Sequence, residues 1–209
     1  MPQAAGADGP SPGPATLPDP VARVFVITGP SGVGKGTLIR KLREALPELE
    51  LSVSATTRSP RTGEQHGVDY HFLDADEFAR RVDAGDFVEH AEYSGRRYGT
   101  LREELDRRTD AGHPVVLEIE VQGARQVRTA MPEAVQIFIA PPSTDTLRER
   151  LTGRGTDDDE QVAARLRVAV DEIAAQNEFR HKVINADLDA AVRELVDIVR
   201  AETAAQAHP

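Results

Sequence analysis

A glycine-rich segment with one lysine, GPSGVGKGT at Gly29–Thr37, carries the first residues of this chain that could do chemistry. It follows a short apolar run and opens a stretch of helical character, which is the context that makes the phosphate-loop pattern Gly-x-x-x-x-Gly-Lys credible. Glycines let successive main-chain N–H groups turn toward one concavity, and a helix N-terminus adds partial positive charge. The segment therefore predicts a nucleotide site in which Lys35 reaches the β- and γ-phosphates.

One position departs from that pattern. Gly36 follows the lysine where the pattern has a Ser or Thr hydroxyl that ligates Mg²⁺, and Thr37 comes one place later. Because Mg²⁺ gives up its water reluctantly, we expect phosphate oxygens and water to hold most of its coordination sphere. No side chain is predicted as a direct metal ligand.

Composition limits what the rest of the chain can be. Its 209 residues include 25 basic and 35 acidic ones, a net charge of −10, and no cysteine. The acidic balance argues against a nucleic-acid partner, and the lack of cysteine excludes a disulfide framework and thiolate metal sites. No apolar run approaches the ~20 residues that span a bilayer, and no secretory signal is recognisable. We expect a cytoplasmic protein with no membrane partner.

Short apolar runs alternate with helical stretches along most of the chain. Continuous rather than alternating hydrophobicity is typical of strands buried on both faces, so the pattern predicts an α/β fold whose parallel sheet is flanked by helices. The predicted strands are Val21–Thr28, Val115–Val121, Ala134–Ala140 and Lys182–Asn185. The predicted helices are Thr37–Leu46, Thr100–Ala111, Gly123–Ala130, Thr144–Leu151, Asp157–Gln176 and Leu188–Ala201.

The stretch from residue 50 to residue 99 breaks this rhythm. We predict a strand over Leu51–Arg58 and short half-polar strands over Tyr70–Leu73 and Phe87–Tyr93. Between the last two, a helix begins with a capping pattern at Asp74 and ends near Gly85. The sequence thus predicts a mixed α/β lobe inserted at 51–100 into a core of 21–50 and 101–203, with a short lid at about 143–166.

The two ends of the chain differ from the rest. Residues 1–20 hold six of the fourteen prolines and two charged residues, which leaves too little apolar surface to offset the entropy of ordering. We expect a disordered leader there, dispensable rather than partner-binding, and a tail at 204–209.

A second set of polar side chains lies in the predicted lobe. Its members are Ser54, Arg58, Arg61, Tyr70, Glu89, Tyr98 and Thr100. Taken singly, each has an ordinary structural explanation, since arginines are usually solvated and buried tyrosines often serve the core. The residues alone leave both interpretations open.

Taken together, seven segments resemble the guanylate kinases of the nucleoside monophosphate kinase group. They are GPSGVGKGTL (Gly29–Leu38), SVSATTRSPRTGEQHGVDYHF (Ser52–Phe72), FVEHAEYSGRRYGT (Phe87–Thr100), LEIEVQGARQV (Leu117–Val127), IFIAPPS (Ile137–Ser143), RLTGRGTDDDEQVAARL (Arg150–Leu166) and VINADLD (Val183–Asp189). The resemblance covers about Val24–Val199. It implies a P-loop core with a GMP-binding lobe and a lid, and Mg²⁺-dependent transfer of the ATP γ-phosphoryl group to GMP, and to dGMP, giving GDP and ADP.

The resemblance also implies roles for individual residues. ATP would contact Gly29, Pro30, Ser31, Gly32, Val33, Gly34, Lys35, Gly36, Thr37, Arg150, Arg154 and Asn185. The GMP phosphate would be held by Arg58, Arg61, Tyr70 and Tyr98. The guanine would be read by Ser54, Glu89 and Thr100, with Glu120 contacting guanine or active-site water. The catalytic set would be Lys35, Arg58, Arg154 and Arg165, the last two being lid arginines together with Arg150.

Two features of this chain leave alternatives open. Glu120 stands where the family typically has Asp, and we expect it to share a strand face with Glu118, which either takes part in catalysis or pairs with a nearby cation such as Lys35. Asn185 either contacts adenine or caps the following helix. At the level of the whole chain, the rivals are a non-catalytic guanylate-kinase-like binding module and a kinase for another nucleoside monophosphate.

Overall fold

A computed structural model describes residues 23–93, 95–152 and 159–206. The strands are β1 (Val24–Thr28), β2 (Glu50–Leu51), β3 (Ala55–Thr56), β4 (His71–Phe72), β5 (Phe87–Tyr93), β6 (Arg96–Leu101), β7 (Val115–Glu118), β8 (Val135–Ala140) and β9 (His181–Ile184). The helices are α1 (Lys35–Ala45), α2 (Ala75–Asp83), α3 (Arg102–Asp110), α4 (Val121–Ala130), α5 (Thr144–Thr152), α6 (Asp159–Ala174) and α7 (Leu188–Gln206), with a 3-10 turn at Ala175–Glu178 after α6.

A five-stranded parallel sheet forms the centre of the fold, in the order β2-β7-β1-β8-β9. Every residue of β1 and of β8 is buried, because helices cover both faces of the sheet. Successive strand residues point to opposite faces, so Phe25 and Ile27 pack with α1 and α7 while Val24 and Val26 pack with α4. The predicted α/β architecture with a buried parallel sheet is confirmed.

A second sheet, in the order β4-β3-β6-β5, stands apart from the first. Its β3–β6 and β5–β6 pairs are antiparallel and its β3–β4 pair is parallel. Helix α2 covers it through Phe78, whose ring stacks on Phe87 at 4.5 Å between centroids and packs with Ala55 and Leu101. Asp74 caps α2 as predicted, since its side chain accepts the N–H of Glu77 at 2.7 Å.

The predicted strand Leu51–Arg58 is wrong as a single element. Its first residue belongs to β2 at the edge of the parallel sheet, whereas residues 55–56 form β3 in the second sheet. The ladder stops where the N–H of Val53 donates to the side chain of Glu104 at 3.2 Å instead of to a neighbouring strand. Because Glu104 accepts the N–H of Val53, the backbone can pass from the first sheet to the second without leaving this donor unpaired.

Two boundaries near the predicted site also differ from expectation. Strand β7 ends at Glu118, and Glu120 is the extended residue that precedes α4, so the prediction that the two share a strand face is wrong. Thr100 belongs to β6 rather than to the first turn of a helix. No helix of the described residues combines the length and apolar character needed to cross a bilayer.

Candidate active site

The glycine-rich loop joins β1 to α1, and its backbone is packed against neighbouring elements at two glycines. Gly29 and Gly32 have φ values of 148° and 87°, which glycine adopts readily. A Cβ atom on Gly29 would lie 2.3 Å from the main-chain oxygen of Ile139, and one on Gly32 would lie 2.7 Å from a methyl carbon of Leu151. Glycine is therefore required at both positions, and β8 and α5 hold the loop in place.

Lys35 is the buried cation of this loop. It opens α1, only 8% of its surface is exposed, and its Nζ donates to the main-chain oxygen of Gly29. The same Nζ lies 3.8 Å from Glu120 Oε1. A cleft of about 440 Å³, the loop cleft, surrounds the lysine and is bordered by Pro30, Ser31, Gly32, Gly34, Lys35, Gly36, Thr37, Glu118 and Glu120.

Two side chains, one on α5 and one directly after β9, donate hydrogen bonds to the loop at Val33. Arg150 donates from Nη1 to the main-chain oxygen of Val33 at 3.2 Å and from Nη2 to that of Asn185 at 3.0 Å. The amide of Asn185 donates to the same Val33 oxygen at 2.8 Å. Asn185 does not cap α7; that role falls to Asp187, whose Oδ1 accepts the N–H of Ala190 at 2.8 Å.

The lid arginines fall partly outside the described residues. Arg165, on α6, donates from Nη2 to the hydroxyl of Ser31 at 2.7 Å, which places its guanidinium beside the glycine-rich loop. Arg154 lies outside the part of the chain that the structure describes.

A second cleft, of about 350 Å³, opens between the end of β7 and the second sheet. We call it the Glu89 cleft. Six of the predicted site residues border it, namely Lys35, Ser54, Tyr70, Glu89, Tyr98 and Glu120. Thr100 lies directly behind its wall, 1% exposed, with its hydroxyl donating to Glu89 Oε1 at 2.8 Å.

Glu89 is the most deeply buried acid of this cleft, with 4% of its surface exposed. Burial raises the pKa of its carboxyl to about 7, although the hydrogen bond from Thr100 favours the charged form. The carboxylate rests on α4 at Gly123, where a Cβ atom would lie 2.4 Å from Glu89 Oε2. Glu89 is thus a fixed acceptor that faces the cleft.

The two lobe arginines are not on the wall of the Glu89 cleft. Arg58 forms a two-pronged pair with Glu64, 2.9 Å at each bond, and its guanidinium lies over the rings of Tyr70 and Phe72. Arg61 is exposed, and its main-chain N–H donates to Glu64 at 2.7 Å. Tyr70 borders the Glu89 cleft, and its ring separates the guanidinium of Arg58 from that cleft.

Comparison with known proteins identifies the family. The family model "Guanylate kinase" matches residues 21–202, which is most of the chain. The chain belongs to the guanylate kinase family. It is 52% identical over 175 residues to the guanylate kinase of Synechococcus sp. (strain CC9311), and the match covers 84% of this chain and 92% of that protein. It is 55% identical over 174 residues to the guanylate kinase of Frankia casuarinae, and the match covers 83% of this chain and 95% of that protein. The crystal structure of guanylate kinase from Anaplasma phagocytophilum superimposes with a TM-score of 0.71 at 35% identity, covering 88% of each chain.

The sequence did not single out three residues of this guanylate kinase that the structure places at its site. Gly123 is the first residue of the predicted helix but lies within the first turn of α4, and a glycine inside a helix often signals a close contact. Glu64 and Glu172 carried no such signal, since each is one acid among many. Glu172, on α6, borders a cleft together with Ser31, Glu120 and Arg165, and burial together with Glu120 raises the pKa of its carboxyl to about 8.

If Glu89 reads guanine, as the resemblance implies, Gly123→Ala should impair the use of GMP without harming the fold. Alanine in a helix interior is normally more stable than glycine by about 1 kcal/mol, but here the new methyl group would push the Glu89 carboxylate from its position. We expect KM for GMP to rise about 10-fold, as for the loss of one charged hydrogen bond, and KM for ATP to stay unchanged. Steady-state kinetics measure both constants. Thr129→Ala, exposed on the same helix, is the control, and an unchanged KM for GMP would contradict the contact.

Proposed function

We propose that the two clefts divide the substrates of the ATP:GMP phosphotransfer that this guanylate kinase catalyses. The loop cleft takes the ATP phosphates and the Glu89 cleft takes GMP. One observation carries the proposal: both clefts are bordered by the same three side chains, Lys35, Glu118 and Glu120. A donor phosphate in one cleft and an acceptor phosphate in the other would therefore meet at the Lys35 ammonium.

Glu89 supplies the base selection in this proposal. Its buried carboxylate has two oxygens that can accept hydrogen from N1 and from the exocyclic N2 of guanine, and adenine offers no such pair of donors. The wrong base would leave the buried polar groups of such a site unpaired. That penalty can favour guanine over another base by about 10⁴-fold. Because dGMP has the same base and phosphate, we expect it to be a substrate as well.

The acceptor phosphate needs cations rather than a base. A phosphate monoester has a second pKa of about 6, so GMP arrives largely as a dianion and is already a nucleophile. Arg58 and Arg61, with the hydroxyls of Tyr70 and Tyr98, would hold that dianion in line. Lys35, Arg165 and the lid residue Arg154 would offset the charge that develops on the transferred group.

Magnesium fits this site as part of the nucleotide. Among the described residues, no group of three His, Cys, Asp or Glu side chains is placed to hold a metal ion. There is open space beside Gly36. A Cβ atom at this position would lie 3.8 and 3.9 Å from its nearest neighbours, the two carboxylate oxygens of Glu118. We propose that the ion is carried by ATP oxygens and water and that it supplies charge neutralisation. Since ATP and GMP are cytoplasmic metabolites, we also propose that the enzyme works in the cytoplasm.

A panel of nucleoside monophosphates tests the proposal. ADP release is followed at fixed ATP and Mg²⁺ with GMP, dGMP, AMP and UMP in turn. We expect turnover with the two guanine nucleotides and at least about 10³-fold lower kcat/KM with the others. Substantial use of AMP or UMP would contradict the role given to Glu89, and an absence of release with GMP would contradict the division of substrates.

A further inference from the structure

Three oxygens accept hydrogen bonds from the guanidinium of Arg58, and the two of Glu64 bind it along one edge. Glu64 Oε1 accepts from Nη2 and Glu64 Oε2 accepts from Nη1, both at 2.9 Å, and the main-chain oxygen of Ser59 accepts from Nη1 at 2.9 Å. A guanidinium carries five N–H donors, of which Nη1 and Nη2 have two each and Nε has one. The hydrogen bonds found among the described residues therefore use both donors of Nη1 and one of Nη2.

The donors that these bonds leave lie together. They are the N–H of Nε and the second N–H of Nη2, which form the other bidentate edge of the guanidinium. This is an edge that two oxygens of a phosphate can accept from at once. Glu64 and a phosphate can accordingly bind Arg58 at the same time, on different edges, without competing for donors.

Aromatic rings fix the plane of the same guanidinium. Its central carbon lies 5.2 Å from the ring centroid of Tyr70 and 5.7 Å from that of Phe72. The side chains of Arg58 and Glu64 are 16% and 20% exposed, so neighbouring atoms cover much of the pair although it lies near the surface. Stacking restrains tilt and the carboxylate restrains rotation in the plane, which together set the direction in which the remaining edge points.

The carboxylate of Glu64 also fixes the second arginine of the phosphate site through the backbone. Its Oε2 accepts the main-chain N–H of Arg61 at 2.7 Å, and the N–H of Glu64 donates to the main-chain oxygen of Arg61 at 3.0 Å. This closes the turn at residues 61–64. The pairing lowers the pKa of Glu64 and raises that of Arg58, so both groups stay charged at neutral pH.

We infer that Glu64 is a positioning residue for the acceptor substrate, holding Arg58 so that its Nε–Nη2 edge is presented to the phosphate of GMP. The inference rests on the proposed function, in which Arg58 contacts that phosphate. Without Glu64, the long arginine side chain regains its rotamers, and GMP binding must order it again. Glu64 therefore acts on acceptor binding and leaves the donor side untouched.

The first test measures kinetics of the full-length enzyme with Glu64→Ala and Glu64→Gln. We expect Glu64→Ala to raise KM for GMP about 10-fold to 30-fold, with kcat and KM for ATP within about twofold. Glu64→Gln keeps the shape but replaces one acceptor with a donor, so its KM for GMP should lie between those of wild type and Glu64→Ala. The control is Glu77→Gln, since Glu77 also pairs with an arginine, Arg81, in the region of the second sheet.

The second test separates positioning from general structure. If Glu64 acts through Arg58, then Glu64→Ala adds little to KM for GMP in an Arg58→Ala background, whereas independent effects would multiply. Binding of guanosine, which has no phosphate, should be the same for wild type and both Glu64 variants. Multiplying effects, or weaker guanosine binding, would overturn the inference.

Two outcomes distinguish failure of this inference from failure of the proposed function. If Arg58→Ala raises KM for GMP while Glu64→Ala and Glu64→Gln leave it unchanged or lower it, then Arg58 binds the phosphate but Glu64 does not position it. If Arg58→Ala itself leaves KM for GMP unchanged, then the proposed phosphate site is wrong. Should Glu64→Ala fail to fold, Glu64→Gln with the guanosine measurement decides the matter.

Discussion

Lys35→Ala should lower kcat by at least about 10³-fold while the protein remains folded, because charge stabilisation is the largest contribution to phosphoryl transfer and this ammonium lies where both clefts meet. The phosphate groups of two substrates bring several negative charges to one point. Without Lys35, that charge would face Glu118 and Glu120 with no buried cation of the loop to offset it. Initial-rate measurements at saturating ATP and GMP report the loss in kcat directly.

The matched control for this change is Lys41→Ala. Lys41 lies on the same helix, α1, but pairs with Asp189 on the surface at 3.0 Å. Its loss should leave kcat within about twofold, since an exposed pair contributes about 1 kcal/mol or less to stability and none to the site. A Lys35→Ala enzyme that kept a tenth of the wild-type kcat would contradict the position given to the transferred phosphate.

Glu89→Gln should reduce kcat/KM for GMP by about 10³-fold, because the amide presents a donor to a guanine edge that is itself a donor and leaves both buried groups unpaired. Glu92→Gln is the control, since Glu92 lies on the same strand but is exposed. Kinetics with GMP and AMP for both variants provide the measurement. A Glu89→Gln enzyme that kept wild-type preference for GMP over AMP would contradict the proposed reading of guanine.

The same substitution should change the pH dependence of both binding and stability. Burial raises the pKa of Glu89 to about 7 in the folded protein, so the native state holds a proton that the unfolded chain has already lost above its ordinary pKa. The stability contribution of Glu89 is therefore largest below the unfolded value and decreases as pH rises toward about 7. As pH rises over that range, the melting temperature of Glu89→Gln should therefore increase relative to that of the wild-type protein.

The same ionisation should affect GMP binding. Binding needs the ionised carboxylate of Glu89, so the wild-type KM for GMP should rise as the pH is lowered from 8 to 6.5.

Much of the core could be predicted from the sequence because its signals are local. Strands β1 and β8 are continuous apolar runs, and the start of α2 follows from the side chain of Asp74. Strands β2 and β3 could not be predicted, since two residues have no periodicity and the break between them depends on Glu104, which is far away in the sequence.

The site was accessible from the sequence only in part. The phosphate loop has a spacing with a physical meaning, whereas the residues around the Glu89 cleft are brought together by strand pairing and were selected by resemblance alone. Nothing in the sequence indicates that Arg58 is bound by Glu64, because a pair six residues apart in a loop has no periodic pattern.

The close approach of Gly29 to β8 and of Gly32 to α5 has an energetic consequence for nucleotide binding. A loop confined by its neighbours has little conformational freedom to lose when a triphosphate arrives. Ordering a loose segment costs about 1–2 kcal/mol per residue, and a preorganised cradle avoids that penalty. More of the intrinsic affinity for a triphosphate is therefore expressed as binding, because little of it is consumed in ordering the loop.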